Sequence, residues 1–155
     1  MDRSTIAIVL LALGAVCIAL VLGGNIYEQI VCVPQWRSPR GLEYWRSIGE
    51  RHPGYFFLTF APASLVCLAA GTAVGWRSSP MRNPYALYAT LAVLAALIFT
   101  RVFFLPRNRL LFFPATATPD MALAGVLLEQ WIVGNYVRVA VTLSGLASAL
   151  VALRR

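Results

Sequence analysis

Residues 6–22 read IAIVLLALGAVCIALVL, and no charged residue interrupts them. Together with the residues up to about position 30, this run is long enough to cross about 30 Å of hydrocarbon as a helix. It is too long for the apolar part of a signal peptide, and no small-x-small cleavage site follows it. The stretch therefore predicts a retained membrane-spanning helix over about residues 5–30, which Pro34 is expected to end.

Three further apolar runs, at about residues 54–76, 84–105 and 120–153, have the same character. The whole chain is 59% hydrophobic and 12% charged, whereas soluble domains are about half apolar and a quarter charged. A soluble fold of 155 residues has too little interior to bury this much apolar surface. The sequence predicts an all-α protein with four transmembrane helices in one domain over residues 1–155, without a separate soluble domain.

The short connections between the four runs predict an up-down-up-down bundle. At a rise of about 1.5 Å per residue, the fourth helix is about 50 Å long and extends beyond the hydrocarbon. In the first connection, Leu42, Trp45 and Ile48 fall on one side of residues 41–50, so we expect a short interfacial helix there. Trp36, Trp45 and Trp76 are expected in the aromatic belt at the membrane surface.

The net charge of +7 comes from 13 basic residues, all of them arginine and most of them at the ends of apolar runs. This distribution is typical of membrane flanks, where arginine reaches the headgroups, and it argues against nucleic acid as a partner. We expect a multi-pass protein of a bacterial plasma membrane. The arginines are divided almost equally between the two sides, so they do not fix the orientation. Stripes of Gly and Ala suit close helix packing within a monomer or in a homo-oligomer.

Polar residues inside the spans are costly in hydrocarbon and therefore mark candidate sites. Asn25 and Glu28 are spaced i, i+3 on the first helix, and Trp131, Asn135 and Arg138 are spaced i, i+4, i+7 on the fourth. Each set occupies one helix face. Side chains lean toward the N-terminus of their helix, which aims Arg138 at Glu28. Such an ion pair either locks two helices together or supplies a base and a cation to an active site.

The other ionisable residues of this end of the bundle are weaker candidates. Arg101 is a candidate for substrate binding, although it could equally reach the interface. His52, the single histidine, could shuttle protons or bind a metal, but His52 and Glu28 are too few ligands to specify one. Glu129 falls on the face opposite Trp131 and is excluded from the site.

Two segments resemble a known membrane family. They are FLPRN at residues 104–108 and WIVGNYVR at residues 131–138, and the end of the first helix from Gly24 to Pro34 also fits. In this respect the chain is similar to the anthrone oxygenase-like family of small four-helix membrane proteins. The resemblance implies oxidation of anthrones to anthraquinones by molecular oxygen, without a flavin or a metal.

The polar residues are compatible with this chemistry. Glu28, helped by His52, would be the base that forms an enolate. The enolate oxygen would be stabilised by Arg138, Asn135 and Asn108, and Trp131 would stack on the flat lipophilic aromatic substrate. Asn25 and Arg101 complete the predicted substrate-binding set.

Two other functions remain open from the sequence. The first is a metal-dependent membrane enzyme with the ion near His52 and Glu28. The second is a non-catalytic partner subunit or small-molecule carrier, in which the polar residues serve stability and assembly.

Overall fold

The computed structural model describes residues 2–48, 54–77, 83–113 and 120–154, and these contain helices and turns without any strand. Four of the helices are long and apolar enough to cross a membrane. They extend over Arg3–Trp36, Gly54–Trp76, Pro84–Phe112 and Met121–Leu153. The predicted all-α fold with four spanning helices is therefore confirmed, and the chain is a multi-pass membrane protein.

Seven α-helices and two π-helical turns make up these spans and the first connection. In chain order they are α1 (Arg3–Tyr27), π1 (Glu28–Cys32), α2 (Val33–Trp36), α3 (Pro39–Ile48), α4 (Gly54–Trp76), α5 (Pro84–Phe99), π2 (Thr100–Phe104), α6 (Leu105–Phe112) and α7 (Met121–Leu153). Side-chain caps begin four of them within the described residues. The hydroxyl of Ser38 caps α3 by accepting the Gly41 N–H at 3.0 Å. The carboxylate of Asp2 accepts the Thr5 N–H at 2.7 Å, and Asn83 and Asp120 cap α5 and α7 in the same way.

The four long helices form a ring in which α1 contacts α4 and α7, and α5 contacts the same two helices. Neighbours run antiparallel. Gly14 of α1 approaches Leu68 of α4, and Asn83 at the start of the third span donates to the Ala152 carbonyl at the end of the fourth, at 3.1 Å. We call the end that carries α2, α3 and α6 the top. One apolar core fills the top of the bundle and a second fills the lower half.

The expected ends of the first and third spans are wrong. Pro34 does not end the first helix, and the third does not stop at Leu105 but continues to Phe112. A proline removes one backbone donor, and its ring presses on the carbonyl four residues earlier. In both spans a wider π-turn comes just before the proline, with the N–H of Val33 donating to the Glu28 carbonyl five residues back. The wider turn accommodates the proline, so the helix continues.

The short helix predicted in the first connection is present as α3, with Leu42 fully buried and Trp45 and Ile48 half-buried. It packs on α2 and α6.

The expectation that Trp36 belongs to a surface belt is wrong. Its indole is 2% exposed, and its ring centroid lies 5.0 Å from that of Trp131 and 4.9 Å from that of Phe112. Because the first helix continues past Pro34, Trp36 is turned toward the bundle axis and joins the upper core.

Candidate functional site

A buried ion pair joins the first and fourth spans between the two apolar cores. Nη2 of Arg138 lies 3.0 Å from Oε2 of Glu28, and the two residues are 7% and 6% exposed. The lean of helical side chains toward the N-terminus predicted this pairing, and it is confirmed. Nε and Nη2 of the same guanidinium also donate to Oδ1 of Asn135, at 3.1 and 2.7 Å. Arg138 is thus held on one edge by a carboxylate and an amide.

Asn135 fixes this arrangement to the first span. Its Nδ2 donates to the backbone carbonyl of Asn25 at 3.0 Å and to Oε1 of Gln29 at 2.9 Å. The Asn25 carbonyl lies in the last turn of α1, just before π1. At this point the backbone hydrogen bonds change from a four-residue to a five-residue spacing, which changes the N–H group that each carbonyl accepts from. Sequence reasoning missed Gln29, although its i, i+4 spacing from Asn25 places it on the same face of a regular helix.

The other edge of the Arg138 guanidinium is open. Nη1 makes no hydrogen bond to any residue in the described parts of the chain, whereas Nε and Nη2 are both engaged. Aromatic rings surround the cation. Its Cζ lies 4.1 Å from the ring centroid of Phe104 and 5.6 Å from those of Phe57 and Trp131. These rings exclude water, which strengthens the interactions that Nη1 can make.

Asn25 is the second polar group with unused hydrogen-bonding capacity. Its side chain is 0% exposed, and neither Oδ1 nor Nδ2 has a hydrogen-bond partner among the residues that the structure describes. Leaving a buried amide unpaired costs about 1–3 kcal/mol. An unpaired amide of this kind calls for an explanation, although both of its polar atoms are covered by the surrounding side chains.

Asn25 and Arg138 both line a cavity of about 120 Å³ inside the bundle. All four spans contribute to its wall, which consists of Ile18, Val21, Asn25, Phe57, Leu58, Ala61, Pro62, Ser64, Val93, Ala96, Leu97, Thr100, Arg138 and Thr142. The wall is mostly apolar. The wall contains three hydroxyl groups, those of Ser64, Thr100 and Thr142. Each donates to a backbone carbonyl of its own span, and each oxygen can still accept a hydrogen bond. Glu28 is not part of the described wall and lies behind Arg138.

The remaining predicted residues lie around this centre or away from it. Trp131 is buried in the upper core, and its Nε1 donates to Oδ1 of Asn108 at 3.0 Å. Neither residue belongs to the cavity wall. Arg101 is exposed on π2 and is also outside the wall. Glu129 is exposed and pairs with Arg37 at 2.9 Å, which confirms that it points away from the site.

His52 lies outside the described residues, so its predicted role stays a prediction. Within residues 2–48, 54–77, 83–113 and 120–154, no group of three or more His, Cys, Asp or Glu side chains is placed to hold a metal ion. The metal alternative involves His52 and therefore also stays a prediction.

The fold and the site together define a multi-pass membrane protein that encloses a buried cation beside an apolar cavity. More specifically, the chain belongs to the family described as anthrone oxygenase, which matches residues 51–148. Membership indicates an oxygenase-like function. The matched region contains Arg138 and Asn135 but not the first span, and the structure connects it to Asn25 and Glu28 through the contacts above.

Comparison with curated proteins gives no match. Comparison with solved structures gives none either.

Proposed function

We propose that this protein oxidises a lipophilic aromatic molecule of the anthrone or quinol type with molecular oxygen, without an organic cofactor. The observation that carries the proposal is the open edge of Arg138. A buried cation whose Nη1 has no hydrogen-bond partner among the described residues, beside an apolar cavity, is suited to an aromatic molecule that develops negative charge on one oxygen.

Arg138 is the proposed oxygen-binding group, because it lines the cavity and its Nη1 has no partner among the described residues. Asn25 lines the same cavity and would join Arg138 only if its covered amide turned toward the ligand. Asn135 is a positioning residue, since it engages two nitrogens of Arg138 and has no place in the wall. Glu28 is the proposed base. It is the buried carboxylate bonded to the guanidinium that would bind the ligand oxygen. His52 remains the proposed proton relay to Glu28.

The proposed reaction balances with oxygen alone. Loss of a proton to Glu28 converts an anthrone to its enolate, whose oxygen rests on Arg138. The electron-rich ring carbon opposite that oxygen transfers an electron to O2 and then forms a C–O bond with the resulting superoxide. The peroxide takes back the proton from Glu28. Loss of the second C–H proton breaks the O–O bond and releases water, so one anthrone and one O2 give one anthraquinone and one water.

The surroundings favour such a substrate. The cavity lies within the spanning part of the bundle, where both an apolar aromatic molecule and O2 are more concentrated than in water. The apolar wall also keeps water from the charged oxygen, which strengthens its interaction with Arg138.

Oxygen uptake by the purified protein in lipid nanodiscs tests the proposal. The substrate is a simple anthrone, the spontaneous rate is subtracted, and each run is repeated with a chelator. We expect uptake that survives chelation and disappears in Arg138→Ala, while Arg37→Ala, at an exposed ion pair, keeps the full rate.

Two other outcomes would argue against the proposal. Uptake that is lost on chelation and restored by a metal would favour the metal-dependent alternative. The absence of uptake above the spontaneous rate would overturn the proposal for anthrones.

A further inference from the structure

A flat aromatic substrate needs a ring surface next to the group that binds its oxygen. The sequence suggested Trp131 for this role. In the structure the indole of Trp131 is 2% exposed and packs at near right angles against Trp36 and Phe104, with ring centroids 5.0 and 5.2 Å away. Its Nε1 is bonded to Asn108. Trp131 therefore presents almost no surface to a ligand in the cavity.

Phe57 of α4 is the aromatic residue that lines the cavity. No other ring belongs to the wall among the residues that the structure describes. Phe57 is half-buried, and its ring centroid lies 5.6 Å from Cζ of Arg138. Aromatic rings stack with their centroids about 4.5–7 Å apart, and an oxygen bonds to a nitrogen donor at about 2.9 Å. A ring whose oxygen is bonded to Nη1 of Arg138 can therefore lie within stacking distance of Phe57.

Gly24 of α1 limits the position of the Phe57 ring. A Cβ at Gly24 would lie 3.0 Å from Cζ of Phe57 and 2.8 Å from Cε1 of Phe56. The rings of Phe56 and Phe57 are also in contact, with centroids 5.3 Å apart and planes at 90°. Gly23, the preceding residue, has nothing within 4 Å of its added Cβ. The close approach of the first span to Phe57 therefore depends on Gly24 and not on its neighbour.

We infer that Phe57 positions the substrate and contributes to its selection. One aromatic ring of the substrate stacks on Phe57 while the substrate oxygen bonds to Arg138. A stacked pair stabilises an aromatic ring beyond the burial of its apolar area, and a saturated ring of the same outline lacks this contribution. The inference rests on the proposed function in taking Arg138 as the oxygen site.

Binding measurements in nanodiscs test this inference with two probes, each expressed as a mole fraction of lipid. The first is anthraquinone, the flat product of the proposed reaction. The second is its perhydro counterpart, which keeps both ketones but has no aromatic ring. The ratio of the two affinities isolates the aromatic contribution, because a general loss of binding affects both probes.

Phe57→Leu should lower this ratio by about twofold to tenfold relative to the parent protein, the value of one stacked pair. Phe60→Leu is the matched control, since Phe60 is half-buried on the same helix but outside the described wall, and it should keep the parent ratio. An unchanged ratio in Phe57→Leu, an equal fall in Phe60→Leu, or no binding of anthraquinone to the parent protein would overturn the inference.

Gly24→Ala tests the inference without altering Phe57 itself. The added methyl group displaces the Phe57 ring, so the affinity ratio should fall as in Phe57→Leu, while Gly23→Ala should keep the parent ratio. Melting curves check that each variant folds. If Phe57→Leu does not fold, an unchanged ratio in a folded Gly24→Ala overturns the inference instead.

Failure of this inference can be distinguished from failure of the proposed function. A binding ratio that depends on Phe57, without oxygen uptake on anthrone, would keep the role of Phe57 and overturn the oxygenase function. Oxygen uptake that depends on Arg138, with the same KM for anthrone in Phe57→Leu as in the parent protein, would do the reverse.

Discussion

Arg138 and Glu28 are bonded at 3.0 Å across the interface of the first and fourth spans, and each is less than a tenth exposed. Nη1 of the same guanidinium has no hydrogen-bond partner among the described residues, and Arg138 lines the cavity. The pair therefore has two separable properties, a contribution to stability through Nη2 and a contribution to ligand binding through Nη1, and variants can distinguish them.

Removal of one member of the pair should destabilise the fold more than removal of both. Arg138→Met or Glu28→Leu leaves a buried charge without its partner, which costs about 3–5 kcal/mol, while the double variant leaves none. Unfolding by added denaturing detergent measures the free energy of unfolding of the two single variants and of the double variant. The exposed pair Arg37 and Glu129 is the control, and Arg37→Met should cost less than about 1 kcal/mol. A double variant whose loss equals the sum of the single losses would contradict this prediction.

Arg138→Lys should separate charge from geometry. Lysine keeps the positive charge but lacks the planar fork that donates to Asn135 and to the cavity at the same time. Oxygen uptake on anthrone should fall about 100-fold or more, as for the loss of one donor to a developing oxyanion. Arg37→Lys should keep the parent rate. A normal rate in Arg138→Lys would mean that charge alone is sufficient.

Asn25→Leu should stabilise the protein. The Asn25 side chain is buried and unpaired, so a leucine of similar size removes an unsatisfied amide at a gain of about 1 kcal/mol or more.

Asn135→Leu is the matched comparison. It removes the same functional group from a position where every polar atom is bonded, and the loss should be about 1–3 kcal/mol. The melting temperature of Asn25→Leu should rise, and that of Asn135→Leu should fall. A fall in both melting temperatures would show that the Asn25 side chain stabilises the fold.

Gly134→Ala should destabilise the top of the bundle. A Cβ at Gly134 would overlap the ring of Phe103, which is itself stacked on Phe99 and lies 3.7 Å from the Arg107 guanidinium, so these two contacts oppose a shift of the ring. Overpacking of this kind costs about 1–3 kcal/mol.

Gly125→Ala, on the same helix, meets nothing within 4 Å and should be neutral or stabilising. Thermal melting in one detergent compares the two variants. Equal melting temperatures of the two variants would show that the Phe103 ring can shift to make room for the added methyl group.

The spans and the inward face of the fourth helix followed from the sequence because both depend on local pattern. An apolar length predicts a crossing, and the spacing of Trp131, Asn135 and Arg138 predicts one buried stripe, as observed. The ends at Pro34 and Leu105 did not follow, because a proline usually ends a helix and the π-turn that accommodates it has no signature in hydropathy.

The unpaired state of Asn25 could not be predicted either. Its polarity is visible in the sequence, but whether its amide finds a partner depends on four helices that meet in space. Trp131 illustrates the same limit. Its stripe was predicted, but its packing against Trp36 depends on the continuation of the first helix past Pro34.

The two π-turns also determine the rotational phase of the helices above them. A π-turn holds one residue more than a regular turn, so deletion of a single residue within Glu28–Cys32 would restore a continuous α-helix. Every side chain beyond it would then rotate by about 100° around the axis, while the helix would shorten by only about 1.5 Å. Trp36 would leave the upper core, although the span would still cross the membrane. In this part of the protein the residue count, rather than the helix length, decides which face is turned inward.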